Sequence, residues 1–372
     1  VNGIEVPFRM EFSGAGSAFK GSFFNGDEKI TSTTGSLEKG SLTLSFDEYG
    51  STLEATLKDG VLDGQYSRGT RGAPYPFHAK RFAPQPADAD VPAIAGLWNI
   101  QTKSSKGENA WHLIVRQSGA EVSAAILRVD GDTGALTGTF RDGRFVLGHF
   151  SAARPLRVEL TPSADGALSV VQNKDAPLTA LRAEQARAKG LPEPSDPSRF
   201  TSVKDPTEPF RFSFPNLDGK IVSNTDPQFR GKVVIVDIAG SWCPNCHDET
   251  PFLVDLYRTY RSRGLEIVAL SFEEAAQLKN PTRLRAFIKH YGIQYTVLVP
   301  GEPREASDKL PQTVNMNSFP TTFFLGRDGR VRAAHAGFPG KASGSFHDEA
   351  KREITRTIEQ LLAERAQTSS GR

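Results

Sequence analysis

Over the first two hundred positions apolar and polar residues alternate in short runs, broken by glycine or Asp-Gly about every eight to twelve residues, with almost no helical period. That pattern predicts antiparallel β structure, a sandwich or a small barrel. It also repeats. Leu37, Gly40, Leu42, Leu44, Leu53, Ala55 and Leu57 recur 103 positions later as Phe140, Gly143, Phe145, Leu147, Leu156, Val158 and Leu160. After a three-residue insertion, Asp59-Gly60 and Leu62 meet Asp165-Gly166 and Leu168. Two tandem β units follow, at 1–86 and 92–184. The second opens with Ala95-Gly96-Leu97-Trp98-Asn99-Ile100, whereas the first begins almost in its second strand, so a leading strand, and with it an export signal, is expected upstream. Residues 185–208, rich in proline, serine and charge, read as an extended, exposed linker.

Beyond the linker the period changes. Buried strands are predicted at 233–238, 265–271 and 321–325, separated by helical patterns, as in parallel βαβ units. Phe252, Leu253, Leu256, Tyr257 and Tyr260 fall on one helix face before Gly264 and belong to a core. A helix at about 281–291 precedes the β-rich 295–299. Asp328-Gly329 marks a hairpin into 331–336, and an amphipathic helix at about 348–364 closes an α/β domain at 209–366. The tail 367–372 is expected to be disordered.

Composition narrows the function classes. The 372 residues allow two or three domains, and 45 basic against 43 acidic side chains leave no basic excess for nucleic acid as the main partner. No apolar stretch approaches the roughly 18 residues of a membrane span. The β units contain no cysteine, metal-like cluster or paired acids. Trp98, Trp111, Phe8, Phe12, Phe23 and Phe24 line either a ligand cavity or, more simply, a core.

The chain's only two cysteines stand in Trp242-Cys243-Pro244-Asn245-Cys246, directly after the run Val233-Val234-Ile235-Val236-Asp237-Ile238. A disulfide scaffold spreads its cysteines; a C-x-x-C where a strand gives way to a helix points to reactivity. Unpaired N–H groups and the positive end of the macrodipole stabilise a thiolate there. Cys243 is the attacking thiol. Cys246, one turn on, can break a mixed disulfide and is the resolving thiol. Zinc would need two more ligands, and the seven histidines show no H-x₃₋₅-H spacing, so no metal is expected. Closing so short a loop removes little unfolded-state entropy, which argues against a structural disulfide.

Four positions then make residues from about 209 to 365 resemble a thioredoxin-fold domain of the TlpA/ResA type: the C-x-x-C after Trp242, Asp237 six residues before Cys243, Pro251 eight residues after it, and Phe319-Pro320-Thr321-Thr322-Phe323-Phe324-Leu325. The resemblance implies a thiol-disulfide oxidoreductase without a cofactor beyond its dithiol, acting on protein thiols and disulfides with an upstream redox partner. It implies that Asp237 is a buried acid serving the resolving thiol, and that Pro320 is cis in a loop facing the cysteines. The loop's backbone would pair with an extended substrate segment, and Phe319 would present an aromatic surface beside the sulfur. Glu249, just before the helix proline, is either a tuning acid or a first-turn acid favoured by the dipole. The Pro244-Asn245 dipeptide lacks the histidine of strongly oxidising relatives and leans towards a reductant; His247 is expected to be a solvated helix residue. The helix and strand at 281–299 resemble the TlpA-type central insertion. An extracytoplasmic bacterial location, periplasmic or tethered, follows by the same analogy. Two alternatives remain: a thiol peroxidase, although Gly240-Ser241-Trp242-Cys243 does not match the Thr/Ser-x-x-Cys pocket, and a binding protein whose β units work while the redox domain senses.

Overall fold

The computed structural model describes residues 3–83, 90–153 and 155–364. The tail 367–372 and the expected boundary at residue 86 lie outside them. Contacts divide the chain into two units: Val1–Arg128 with Asp132–Pro194, and Ser195–Arg372 with the three residues Val129–Gly131.

The first unit is all β apart from short helical turns. Eight antiparallel strands, Gly96–Gln101, Ala110–Ser118, Glu121–Arg128, Leu136–Arg141, Arg144–His149, Leu156–Pro162, Leu168–Gln172 and Leu178–Arg182, form one sheet. It closes into a barrel because Leu178–Arg182 pairs back onto Gly96–Gln101, while Ala110–Ser118 bridges to Glu121–Arg128. Inward-pointing Trp98, Leu113, Ile126, Leu136, Leu147, Leu160 and Val170 fill the barrel with apolar side chains. Ahead of it lie a three-stranded sheet (Met10–Ser13, Lys20–Asn25, Glu28–Thr31) and a five-stranded meander from Thr34–Glu38 to Tyr75–Lys80. Phe23, Leu44, Phe46, Leu53 and Tyr66 form the core there. Trp98 and Phe23 are thus core aromatics, whereas Phe12 is exposed. The hairpins at the repeat positions share a register, Leu37 opposite Leu42 and Phe140 opposite Phe145; the next pairing differs by two residues, Leu42 opposite Ala55 but Phe145 opposite Leu160.

The expected extended linker is corrected by the structure. Ala183–Ala188 is a helix with Ala186 fully buried, Pro197–Phe200 is a short helix capped by Asp196, and Ser202–Val203 pairs with Thr313–Val314. Alanine and small polar residues pack and pair there despite the prolines between them.

In the second unit the elements, numbered within it, are β1 (Val233–Ala239), α1 (Pro244–Tyr260), β2 (Leu265–Ser271), α2 (Thr282–Tyr291), β3 (Thr296–Leu298), β4 (Thr321–Leu325), β5 (Val331–Ala336) and α3 (Ser345–Ala363). The sheet order is β3-β2-β1-β4-β5; β2 runs parallel to β1 and β3, whereas β4 is antiparallel to both β1 and β5. Every residue of β1 is buried because both sheet faces are covered. Val234, Val236 and Ile238 pack into one core layer with Phe323 and Leu270; Val233 and Ile235 pack into the other with Leu253, Leu256 and Ile358. This is a thioredoxin-like fold, and the central strand β1 delivers the chain into the cysteine pair.

Candidate active site

A turn closed by Cys243 N–H donating to Gly240 O (3.0 Å) joins β1 to α1. Gly240 is required there: a Cβ would meet the Trp242 indole nitrogen at 2.3 Å and Phe272 O at 2.7 Å. Cys243 caps α1, and Pro244 takes the first helical position, where its missing N–H costs nothing. The Cys243 sulfur accepts from the Cys246 N–H at 3.3 Å and lies 3.4 Å from Phe319 O. The two cysteines are not joined, and both are almost fully buried, 3 % and 1 % exposed. Pro251 sits inside α1, where it removes a backbone donor in mid-helix.

The Phe319–Pro320 peptide is cis. Phe319 packs at 5.3 Å, centroid to centroid, against the half-buried Trp242, and together they form an apolar lip beside the dithiol. Pro320 O is already taken by Gly337 N–H at 2.7 Å. Asn245 donates to Asp130 O at 2.6 Å, within the Val129–Gly131 stretch that belongs to this unit. Gly131 bridges to Phe338, and both Gly131 (φ 116°) and Gly337 (φ 67°) are in the left-handed region, where an added Cβ would strike Phe338 O at 2.4 Å and Val129 O at 2.3 Å.

Behind the thiols lie two buried acids. Asp237, 2 % exposed, has an Oδ1 with no hydrogen-bond partner among the described residues, and burial pushes its carboxyl up to about 7. Glu249 is 1 % exposed; Thr322 donates to its Oε1 at 2.9 Å, and Oε2 has no partner among the described residues. Burial raises Glu249 well above the ordinary carboxylate range, and the neighbouring Asp237 charge adds to this. Burial also raises the Cys246 thiol, helped by Cys243 and Asp237. Tyr295, raised chiefly by burial, lines the same small cavity as Asp237, Thr250, Ser271 and Phe287. Glu249 is buried and lies beyond the first turn of α1, so it is not the first-turn acid that the dipole would favour.

His247 corrects an expectation: it is buried, not solvated, with Nε2 3.0 Å from Ser241 O and Nδ1 2.9 Å from Tyr291 OH. Its partners come from the preceding turn and from the end of α2. Sequence reasoning also passed over Ser241, Glu273, Arg283 and Thr322. For Glu249 and Thr250 a signal existed, since both lie three or four residues before the apolar Leu253 on the inward stripe of α1; for Glu273 and Arg283 no local period points inward. Among the described residues, no group of three or more His, Cys, Asp or Glu side chains could hold a metal ion.

A C-x-x-C at a helix N-terminus, a cis-proline loop against the first sulfur and a buried acid beside the second come together at the end of β1. Residues 206–334 match the AhpC/TSA family. Curated relatives include the thiol-disulfide oxidoreductase ResA of Bacillus thuringiensis (strain Al Hakam), 29 % identical over 32 % of this chain and 62 % of the relative. ResA of Bacillus subtilis (strain 168) is 27 % identical over 35 % of this chain and 66 % of the relative. The chain thus spans a little under two thirds of the length of the first of these, at 62 %. Among solved structures, a thiol:disulfide interchange protein of the thioredoxin family from Chlorobium tepidum TLS covers 44 % of this chain and 100 % of its own, at 25 % identity and a TM-score of 0.33. The C-terminal part of this chain is therefore similar to redoxin domains of the TlpA/ResA type.

Proposed function

We propose that this protein is a thiol-disulfide oxidoreductase that reduces protein disulfides outside the cytoplasm. One observation carries the reading: Cys243, held at the helix N-cap with an N–H on its sulfur, faces the cis-proline loop, while Asp237 with a near-neutral acid stands behind Cys246.

In the forward direction the Cys243 thiolate attacks one sulfur of a substrate disulfide. A Cys243–substrate bond forms, the substrate S–S bond breaks, and the first substrate thiol leaves. The Cys246 proton passes to the Asp237 carboxylate, the Cys246 sulfur attacks Cys243, and the second substrate thiol is released. The substrate gains two electrons and two protons, and the protein is left as the Cys243–Cys246 disulfide, to be reduced by an upstream dithiol. Asp237 suits the transfer because an acid near 7 is available in both protonation states at neutral pH. The lip of Trp242 and Phe319 would receive an extended peptide, with Pro244 and Asn245 at its edge. We read α2 and β3 as the TlpA-type central insertion, and the β units as tandem modules that dock or position a partner.

Among the described residues no helix is long and apolar enough to cross a membrane. The extracytoplasmic location rests on the likeness to ResA-type proteins. Turnover of a model protein disulfide by the full chain tests the function: Cys243→Ser should abolish it, and Cys246→Ser should accumulate a mixed disulfide visible by mass. Retained turnover in Cys243→Ser would sink the reading. Equilibration with glutathione or dithiothreitol then decides direction. A potential near about −250 mV or below marks a reductant, and one near about −120 mV a disulfide donor.

A further inference from the structure

Ser241, the first central residue of the turn that leads to Cys243, has every polar group engaged. Its N–H donates to Glu273 Oε1 and its Oγ to Glu273 Oε2, both at 2.8 Å; the same Oγ accepts from Arg283 Nε at 2.8 Å; its carbonyl oxygen lies 3.0 Å from His247 Nε2. Arg283 closes the ring by donating to Glu273 Oε2 at 2.7 Å, and Ser271 donates to Oε1 at 2.8 Å. Arg283 also reaches Glu274. Ser241, Glu273 and Arg283 are 1 %, 0 % and 3 % exposed. The clamp itself is anchored, with Glu273 N–H on Gly301 O and Arg283 N–H on Gln277 Oε1, each at 2.9 Å. Phe272, the neighbour of Glu273, accepts the Trp242 indole N–H at 2.8 Å.

Burying an ion pair costs several kcal/mol per ion before its attraction is counted, and well-packed apolar replacements are often as stable or more so. A buried pair that grips both the N–H and the hydroxyl of a serine two residues before a nucleophile is therefore poorly explained by stability alone. We propose that the Glu273–Arg283 pair is a positioning clamp: by fixing the N–H and the hydroxyl of Ser241 it holds the Gly240–Cys243 turn, and so the Cys243 sulfur, in attacking geometry against the Phe319–Pro320 loop. The inference rests on the redox role proposed above and adds residues outside the cysteine motif to it. With the backbone pinned on both sides of Trp242, the sulfur exchanges partners by side-chain rotation. Displacements of about 1 Å at a reacting atom cost on the order of a hundredfold in rate, which is the scale on which such a clamp acts.

The test uses the full chain. Ser241→Ala removes the hydroxyl that serves both clamp residues, Ser241→Thr restores one, and the double variant Glu273→Leu/Arg283→Met replaces the charges with apolar groups. Each is compared with its parent by thermal melting, by disulfide turnover, by the glutathione equilibrium and, in a Cys246→Ser background, by the pH profile of Cys243 alkylation. We expect Ser241→Ala and the double variant to melt close to the parent but to lose at least tenfold in kcat/KM. Their dithiol equilibrium should shift by about tenfold, which is about 30 mV, and their alkylation profile should move; Ser241→Thr should recover most of the loss. Folded variants with parental rate, potential and alkylation profile would overturn the clamp, leaving the pair structural. Should the double variant not fold, Ser241→Ala decides by the same readouts. If the parent itself turns over no disulfide, the redox role fails, while the alkylation profiles still decide whether the clamp positions Cys243.

Discussion

Replacing Asp237 by Asn separates the acid's contribution to function from its cost in stability. The folded-state value of about 7 against an ordinary 3.8 is a rise of roughly three units, about 4 kcal/mol at about 1.36 kcal/mol per unit. A carboxyl raised on folding favours the protonated form in the native state. Its stability contribution is therefore fully present below pH 3.8, falls as the unfolded chain ionises while the folded one does not, and levels off above about 7. Asparagine has the same shape and no charge. The reduced Asp237→Asn protein should match the parent near pH 3.8 and gain steadily through the window, reaching about 4 kcal/mol by pH 8 or so. Urea melts at several pH values under reducing conditions, compared at constant m, read this directly. The same variant should resolve mixed disulfides more slowly, because Cys246 loses its proton acceptor. A stability difference that does not vary with pH, or that grows on acidification, would refute the assignment of Asp237 as a buried, unpaired acid.

Three further outcomes are expected. Glu249→Gln should stabilise the protein at neutral pH and leave acid stability unchanged, since burial, with Asp237 adding to it, raises Glu249 and so favours its protonated form in the folded state; pH-dependent melts check it. His149, buried with its ring on Ser151 Oγ at 2.8 Å and lowered by burial to about 4, gives the β unit the opposite sign. Its stabilisation is present above the ordinary 6.5 and should be lost by about 3 kcal/mol as pH falls to about 4, a slope that His149→Gln should flatten in tryptophan-monitored melts. Leu147→Ala, at a fully buried barrel position, should cost about 2–5 kcal/mol by chemical denaturation while leaving the alkylation rate of Cys243 unchanged.

Much of the redox unit could be read from the chain because its signals are local. The unbroken apolar run of β1, the single C-x-x-C and the β-branched run after Pro320 each carry their own period or chemistry, and the Asp-Gly at 328–329 announces its hairpin. The β strands were equally legible from alternation, but not the closure of eight of them into a barrel, because pairing of Leu178–Arg182 with Gly96–Gln101 joins segments far apart in sequence. The same non-locality hid His247, Glu273 and Arg283. Each is polar, and each is buried only because partners 32 to 44 residues away complete it. Ala186 and Thr201 were lost in a stretch whose prolines and charges masked two buried side chains.

The redox unit is not a continuous piece of sequence, since Val129–Gly131 belong to it while the rest begins at Ser195. A gene fragment cut in the proline-rich stretch would express the two cysteines, the cis-proline loop and both acids, yet leave Asn245 without its acceptor at Asp130 and expose the backbone around Gly337 and Phe338. Activity or potential measured on such a fragment would describe a site with one wall missing, and truncation guided by the family match at 206–334 would remove that wall unnoticed.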